Sequence, residues 1–273
     1  MNTPVPVLMY HAVADAPAKE TYGLSVTPAA FAEQMAVLAE HGFTPVTTAE
    51  LGAAWRSGDR RPLPARPVLI TFDDGYEGVH RHALPVLAEH GFASTLFVST
   101  GWLRGAHEEG GALDTMLDWD QVRELAAAGC EIGGHTHSHP QLDQIDDARL
   151  RFETEHCRDV VAGELGEVPR SFAYPYGYSS RRVRETVRAA GFAQAFAVGN
   201  GLARPAQGPY AVERLTVRRR TKIDEFTRIV AGRTIGRTFA GDRVLTKGYA
   251  AVRRTRRAAT LLREVAAGGS GPR

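Results

Sequence analysis

Two aspartates side by side, Asp73 and Asp74, leave the apolar run Val68-Leu69-Ile70 within Thr71-Phe72-Asp73-Asp74-Gly75-Tyr76. Adjacent carboxylates cannot both be buried there without a compensating cation; a solvated Asp-Gly turn is the plainer alternative. A second polar strand end, His135-Thr136-His137-Ser138-His139, follows Glu131-Ile132-Gly133-Gly134. Imidazoles four residues apart meet on one side of a helical turn, near enough to bind one ion, and neutral imidazole suits zinc, cobalt or nickel. A surface histidine cluster is the competing reading, but three histidines in five residues directly after a strand argue against coincidence. His137 is out of phase with the other two and reads as a wall or an outer support. A third strand end, Phe172-Ala173-Tyr174-Pro175-Tyr176-Gly177, runs into a Pro/Gly turn and by itself is an aromatic corner.

The elements that must position these residues repeat one phrase. Leu38-Ala39-Glu40-His41-Gly42-Phe43 recurs as Leu87-Ala88-Glu89-His90-Gly91-Phe92, and more loosely at Leu125–Cys130 and Val187–Phe192. Each is a helix end, a glycine stop in the left-handed conformation and a strand start. Thr27-Pro28 opens one helix with a cap and a first-position proline; Thr48 with Leu51 marks another. Strands are expected at Val5–Tyr10, Val68–Phe72, Ala93–Val98, Glu131–Gly134, Phe172–Tyr174, Gln194–Val198 and Tyr210–Val212. Helices alternating with about seven such strands favour an α/β fold of the parallel-barrel kind, whose chemistry sits at the C-terminal strand ends. Neither GxGxxG nor GxxxxGK occurs, so a nucleotide fold has no positive support.

At 273 residues, 43% hydrophobic and 23% charged, the chain has room for one such barrel. Cys130 and Cys157 have no CxxC spacing and could pair or stay free; free buried thiols are the plainer reading, which argues against a thiolate metal site or a disulfide framework. With no basic n-region and no apolar run of about 18 residues, a cytoplasmic location is expected. Charge is uneven: residues 1–213 carry 17 Lys+Arg against 27 Asp+Glu, and residues 214–273 carry 16 against 4. The basic tail is expected to be helical, fraying at Gly268-Gly269-Ser270-Gly271. It could meet anionic lipid at the inner membrane face or be only a solvated helix. Nucleic acid is not expected as a partner, because no aromatic residues are interleaved with the charge for stacking.

Together the three strand ends resemble the polysaccharide deacetylase family, with its NodB homology domain, also called carbohydrate esterase family 4. Thr71–Gly75 matches the family's TFDDG motif, and His135–His139 its H-[S/T]-x-x-H motif, in the family's order. Tyr10-His11 resembles the subgroup that contains the intercellular-adhesin and poly-N-acetylglucosamine deacetylases. The resemblance spans roughly Val5 to Val217 and implies a distorted (β/α)7-type barrel, with 218–273 a basic helical extension.

It also implies site roles. Asp74, His135 and His139 would hold a divalent metal, zinc before cobalt or nickel, leaving room for water and a carbonyl. Asp73 would be the base, the Tyr176 backbone N–H would hold the oxyanion, and Pro175 with Tyr176 would meet the substrate. Two departures stand out. The family's Leu-x-His acid is missing, since no histidine follows His156, so His11 is the substitute; a packed core histidine is the alternative. Ala173 stands where the family has an arginine that pairs with the catalytic aspartate, so Arg214 is assigned to Asp73, against a plain solvated arginine. Trp119 would either stack on a sugar or pack beside Asp118, the expected cap of a helix at Gln121–Ala128. The implied substrate is an N-acetylhexosamine unit of a polymer, oligomer or lipid-linked sugar. The competing functions are an amidohydrolase of non-sugar amides or imides, and a metal- or sugar-binding relative without turnover.

Overall fold

The computed structural model describes residues 4–57 and 63–268. Its strands are β1 (Val7–Tyr10), β2 (Thr44–Pro45), β3 (Pro67–Phe72), β4 (Ser94–Val98), β5 (Cys130–Gly134), β6 (Ser171–Ala173), β7 (Gln194–Phe196) and β8 (Leu215–Thr216). All pair in parallel, in the order β7-β6-β5-β4-β3-β1-β8, with β2 beside β3. Strands β1, β3 and β4 are buried along their whole length, as a sheet covered on both faces requires.

The helices are α1 (Pro28–Glu40), α2 (Thr48–Ser57), α3 (Leu84–His90), α4 (Trp119–Ala127), α5 (Asp147–Leu165), α6 (Arg181–Ala189), α7 (Ile223–Val230), α8 (Ile235–Thr238) and α9 (Ala240–Gly268). Local chemistry sets their ends. Thr27 Oγ1 accepts the Ala30 N–H at 3.0 Å ahead of Pro28, and Asp118 and Gln121 form a reciprocal capping box on α4. Gly42, Gly91, Gly129 and Gly191, the stops of the repeated phrase, all hold positive φ.

The barrel closes through one short segment. Val212 bridges to Phe196 of β7, and three residues later Leu215 pairs with Leu8 of β1. The fold is therefore the distorted (β/α)7-type barrel with helices at the C-terminal end. One strand is displaced from its expected place: Tyr210–Val212 makes only the single bridge, and the ladder with β1 belongs to Leu215–Thr216. The cause is that this segment changes neighbours from β7 to β1, so no continuous ladder can run along it.

The core joins barrel and C-terminal helices. Phe226, Ile229 and Val230 of α7, with Ile235 and Phe239, pack in one cluster with Tyr10, Phe31 and Phe72. Helix α9 is tied down at its first turn, by Arg218 to Asp242 at 2.9 Å, and near its middle, by Arg253 Nε to Asp143 at 2.8 Å. Gly269 to Gly271, where fraying is expected, lie outside the described residues. Cys130 and Cys157 are free and buried, and no helix among the described residues is long and apolar enough to cross a membrane.

Candidate active site

Sheet hydrogen bonds carry past the strand ends and fix the three polar segments. Asp73 N–H donates to the Tyr10 carbonyl at 2.9 Å, His135 N–H to Val98 at 2.9 Å, and Tyr174 N–H to Phe196 at 3.0 Å. Asp74, His139 and Tyr176 hold left-handed backbone, with φ of 78°, 59° and 58°. Such strain in residues with a Cβ costs of order 1–3 kcal/mol each and gathers at functional sites.

Asp74, His135 and His139 meet. Asp74 Oδ1 lies 3.2 Å from His135 Nε2 and 3.3 Å from His139 Nε2, and the three ligand atoms fall within 4.8 Å of one another. His135 Nδ1 is 2.8 Å from the Ala173 carbonyl and must donate to it, so its Nε2 lone pair faces Asp74. Asp74 Oδ1 is buried without a hydrogen-bond partner. Burial works to raise the Asp74 pKa, yet the two imidazoles hold it well below the usual carboxylate range. A buried anionic oxygen facing two imidazole nitrogens is the donor set a divalent cation completes.

Two further contacts hold the histidine loop. Trp102 lies against the His139 ring at 4.6 Å, with Tyr176 at 4.9 Å. Glu153 of α5, fully buried, accepts the backbone N–H of His137 at 2.9 Å and of Ser138 at 2.8 Å, and Arg149 neutralises it at 2.7 Å. No spacing in the sequence singles out Glu153. His137 lies outside the metal set, with Nδ1 2.8 Å from Thr100 Oγ1 and Nε2 3.1 Å from Glu109.

Asp73 is gripped by Arg214. Nη1 and Nη2 donate to Oδ1 and Oδ2 at 2.6 and 2.7 Å, both side chains are buried, and Nη1 also reaches Thr71 Oγ1 at 3.3 Å. Burial alone would lift the Asp73 pKa; the guanidinium outweighs it and leaves the carboxylate below its ordinary value.

A cavity of about 220 Å³ opens over these groups, lined by His11, Asp73, Asp74, His135, His139 and Tyr176. His11 Nδ1 is buried without a partner, and burial lowers the imidazole pKa against the pull of Asp74 and Asp73. Two of the expected substrate contacts lie elsewhere. Trp119 is 5% exposed, packed in the barrel core behind its capping Asp118, because the first turn of α4 turns it inward. Pro175 is buried beneath the Tyr176 turn and does not line the cavity. Glu20, Thr21, Leu24, Leu113 and Arg218 also line it; they come from connecting segments whose course no local pattern reveals.

Residues 60–195 match the family model for polysaccharide deacetylase. The poly-beta-1,6-N-acetyl-D-glucosamine N-deacetylase of Escherichia coli (strain K12) is 28% identical over 235 residues, covering 73% of this chain and 34% of that protein. The chain thus spans about a third of that relative's length. The enzyme of the same name from Staphylococcus aureus (strain MRSA252) is 25% identical over 208 residues, covering 73% and 70%. Among solved structures, IcaB from Ammonifex degensii superposes with a TM-score of 0.67 at 28% identity, over 84% of this chain and 96% of that one. The Streptococcus pyogenes deacetylase PplD, at 24% identity, shares the fold, with a TM-score of 0.73 over 82% and 97%. With barrel, matched span and the order of the polar strand ends in agreement, the chain belongs to the polysaccharide deacetylase family.

Proposed function

We propose that the chain removes N-acetyl groups from an N-acetylhexosamine unit of a glycan, with Asp74, His135 and His139 holding a divalent metal, zinc by preference. The observation that carries this is the partnerless Asp74 oxygen facing two imidazole nitrogens, beside a second carboxylate locked by Arg214. A divalent ion bound there supplies a Lewis acid for the acetyl carbonyl and makes water acidic enough to lose a proton near neutral pH. Asp73, kept anionic, accepts that proton, and Arg214 fixes its direction. The Tyr176 backbone N–H steadies the developing oxyanion. His11, on the cavity wall beside Asp73 and Asp74, protonates the departing nitrogen. The names of the relatives support a sugar amide as substrate.

Acetate release tests this. Protein stripped of metal and reloaded with Zn²⁺ or Co²⁺ is expected to free acetate from N-acetylglucosamine oligomers. Absence of release with sugars but turnover of cyclic imides would reassign the site to a non-sugar amidohydrolase. Tight metal binding with no turnover of either class would leave a binding protein.

We further infer that α9 rests on an anionic membrane surface at the inner face, which suits a lipid-linked sugar. Val244, Leu245, Tyr249 and Val252 are exposed along one side of this helix, whereas Asp242 and Arg253 point to the barrel. Ala240–Gly268 carries seven Lys/Arg against two acidic residues, the pattern of a helix lying in the interface plane. Vesicles of phosphatidylcholine with phosphatidylglycerol are expected to retain the protein at low salt, and Leu245→Glu/Tyr249→Glu to weaken retention about tenfold. Equal sedimentation of the two proteins, or of either with neutral vesicles, discards the idea.

A further inference from the structure

We propose that a second cavity beside the active site binds an acidic group, phosphate or carboxylate, carried by the substrate glycan; this rests on the N-deacetylase reading above. The cavity, about 650 Å³, lies between α6, the loop at Gln207–Ala211 and α9. Arg181, Arg184, Arg188 and Arg253 line it against only Asp143 and Glu185. The first turn of α6, capped by Ser180, adds the positive end of a helix dipole.

Arg253 is the observation that points to a ligand. It is 8% exposed, and Asp143 takes only its Nε, at 2.8 Å, while Nη1 is buried with no hydrogen-bond partner. A buried guanidinium N–H without an acceptor is costly. Asp143 Oδ1 is left without a partner as well; a phosphate or carboxylate oxygen entering beside Arg253 supplies the missing acceptor once the guanidinium turns Nη1 toward the cavity.

Contacts between aromatic rings join this cavity to the metal centre. The His139 ring is 4.9 Å from Tyr176, Tyr176 stacks on Tyr178 at 5.8 Å, and the Arg253 guanidinium lies 3.2 Å over Tyr178. A short oligosaccharide with its acetamido group at the metal centre can therefore lay an acidic neighbour against the arginines. Charge sharpens the inference. Deacetylation leaves an ammonium group, and an arginine-lined groove repels a chain of ammonium groups. The substrate is thus an acidic glycan deacetylated at single positions, not one converted into a polycation.

The test uses the full chain. Calorimetric titration with inorganic pyrophosphate is read as the difference between the wild type and the double variant named below, which cancels pyrophosphate taken by the metal, and kcat/KM is compared on a neutral N-acetylglucosamine oligomer, the same oligomer with a terminal phosphate, and one with a terminal uronate. Pyrophosphate is expected to bind, and one of the two acidic oligomers to be favoured about tenfold, the worth of one charge-assisted contact; which one it is identifies the source of the anion. Arg184→Ala/Arg188→Ala, at exposed positions, is expected to abolish both effects and leave the neutral oligomer's kcat/KM unchanged. Failure of pyrophosphate to bind, or a preference that survives the double substitution, overturns the proposal. If no oligomer is turned over, the deacetylase reading fails, while pyrophosphate binding and its loss in the variant still decide the cavity.

Discussion

Replacing Arg214 with Met is expected to lower kcat/KM by about two to three orders of magnitude while zinc content stays at the wild-type level. A positioned general base contributes roughly 10²–10⁴ in rate, and the substitution removes the fork that aims Asp73 without touching Asp74, His135 or His139. The pH profile gives the sharper readout. In the wild type the Asp73 pKa is held below its ordinary value, so the base form persists well into acid. The stability this pairing provides is present above the unfolded pKa, about 3.9 for aspartate, and is lost as pH falls through the lowered folded value. Without Arg214 burial prevails and the pKa rises, so the acid limb of kcat/KM must move to higher pH. Breaking a buried pair also costs about 3–5 kcal/mol of stability, so the measurement is made below the variant's melting range. Arg214→Lys, which keeps the charge and loses the fork, should fall between. An acid limb that stays put in Arg214→Met would remove Arg214 from the positioning of Asp73.

How much of this was legible beforehand divides along a physical line. Asp73, Asp74, His135 and His139 could be read because each stands beside a strand end, and a polar residue following a buried strand is conspicuous in a chain. Arg214 could be read only indirectly, from Ala173 standing where a cation was needed; its distance in sequence from Asp73 hides a contact that closure of the barrel creates. Ala173 has a use that its side chain does not advertise, since its carbonyl fixes the His135 tautomer. Glu153 sits mid-helix among other acidic residues and is set apart only by what its helix packs against. Trp119 shows an ambiguity of another kind: a large aromatic beside an acid suits sugar stacking and packing behind a helix cap equally, and the capping box turns it into the core. Tyr210–Val212 has the composition of a strand, yet pairing is a property of neighbours, and here the neighbour changes within three residues. The exposed apolar side of α9 needed the structure too, because periodicity alone does not say which side of a helix the barrel covers.

Metal loading should separate the two adjacent aspartates, whose side chains differ only in where they point. Zinc at about 100 times its Kd stabilises the folded state by roughly 2.7 kcal/mol, which for a chain of this size raises Tm by about 5–10 °C. Stripping with a chelator is expected to reverse the rise and abolish turnover together. Asp74→Asn removes the charged oxygen that faces both imidazoles, so it should lose the zinc-dependent rise and the activity. Asp73→Asn should keep the rise and lose turnover, because Asp73 is spent on Arg214 rather than on the ion. His137→Gln should keep the rise, since its Nε2 meets Glu109 and not the ligand set. A zinc-dependent rise of equal size in Asp74→Asn and in the wild type would place the ion elsewhere, and the geometry of Asp74, His135 and His139 would then have no chemical use.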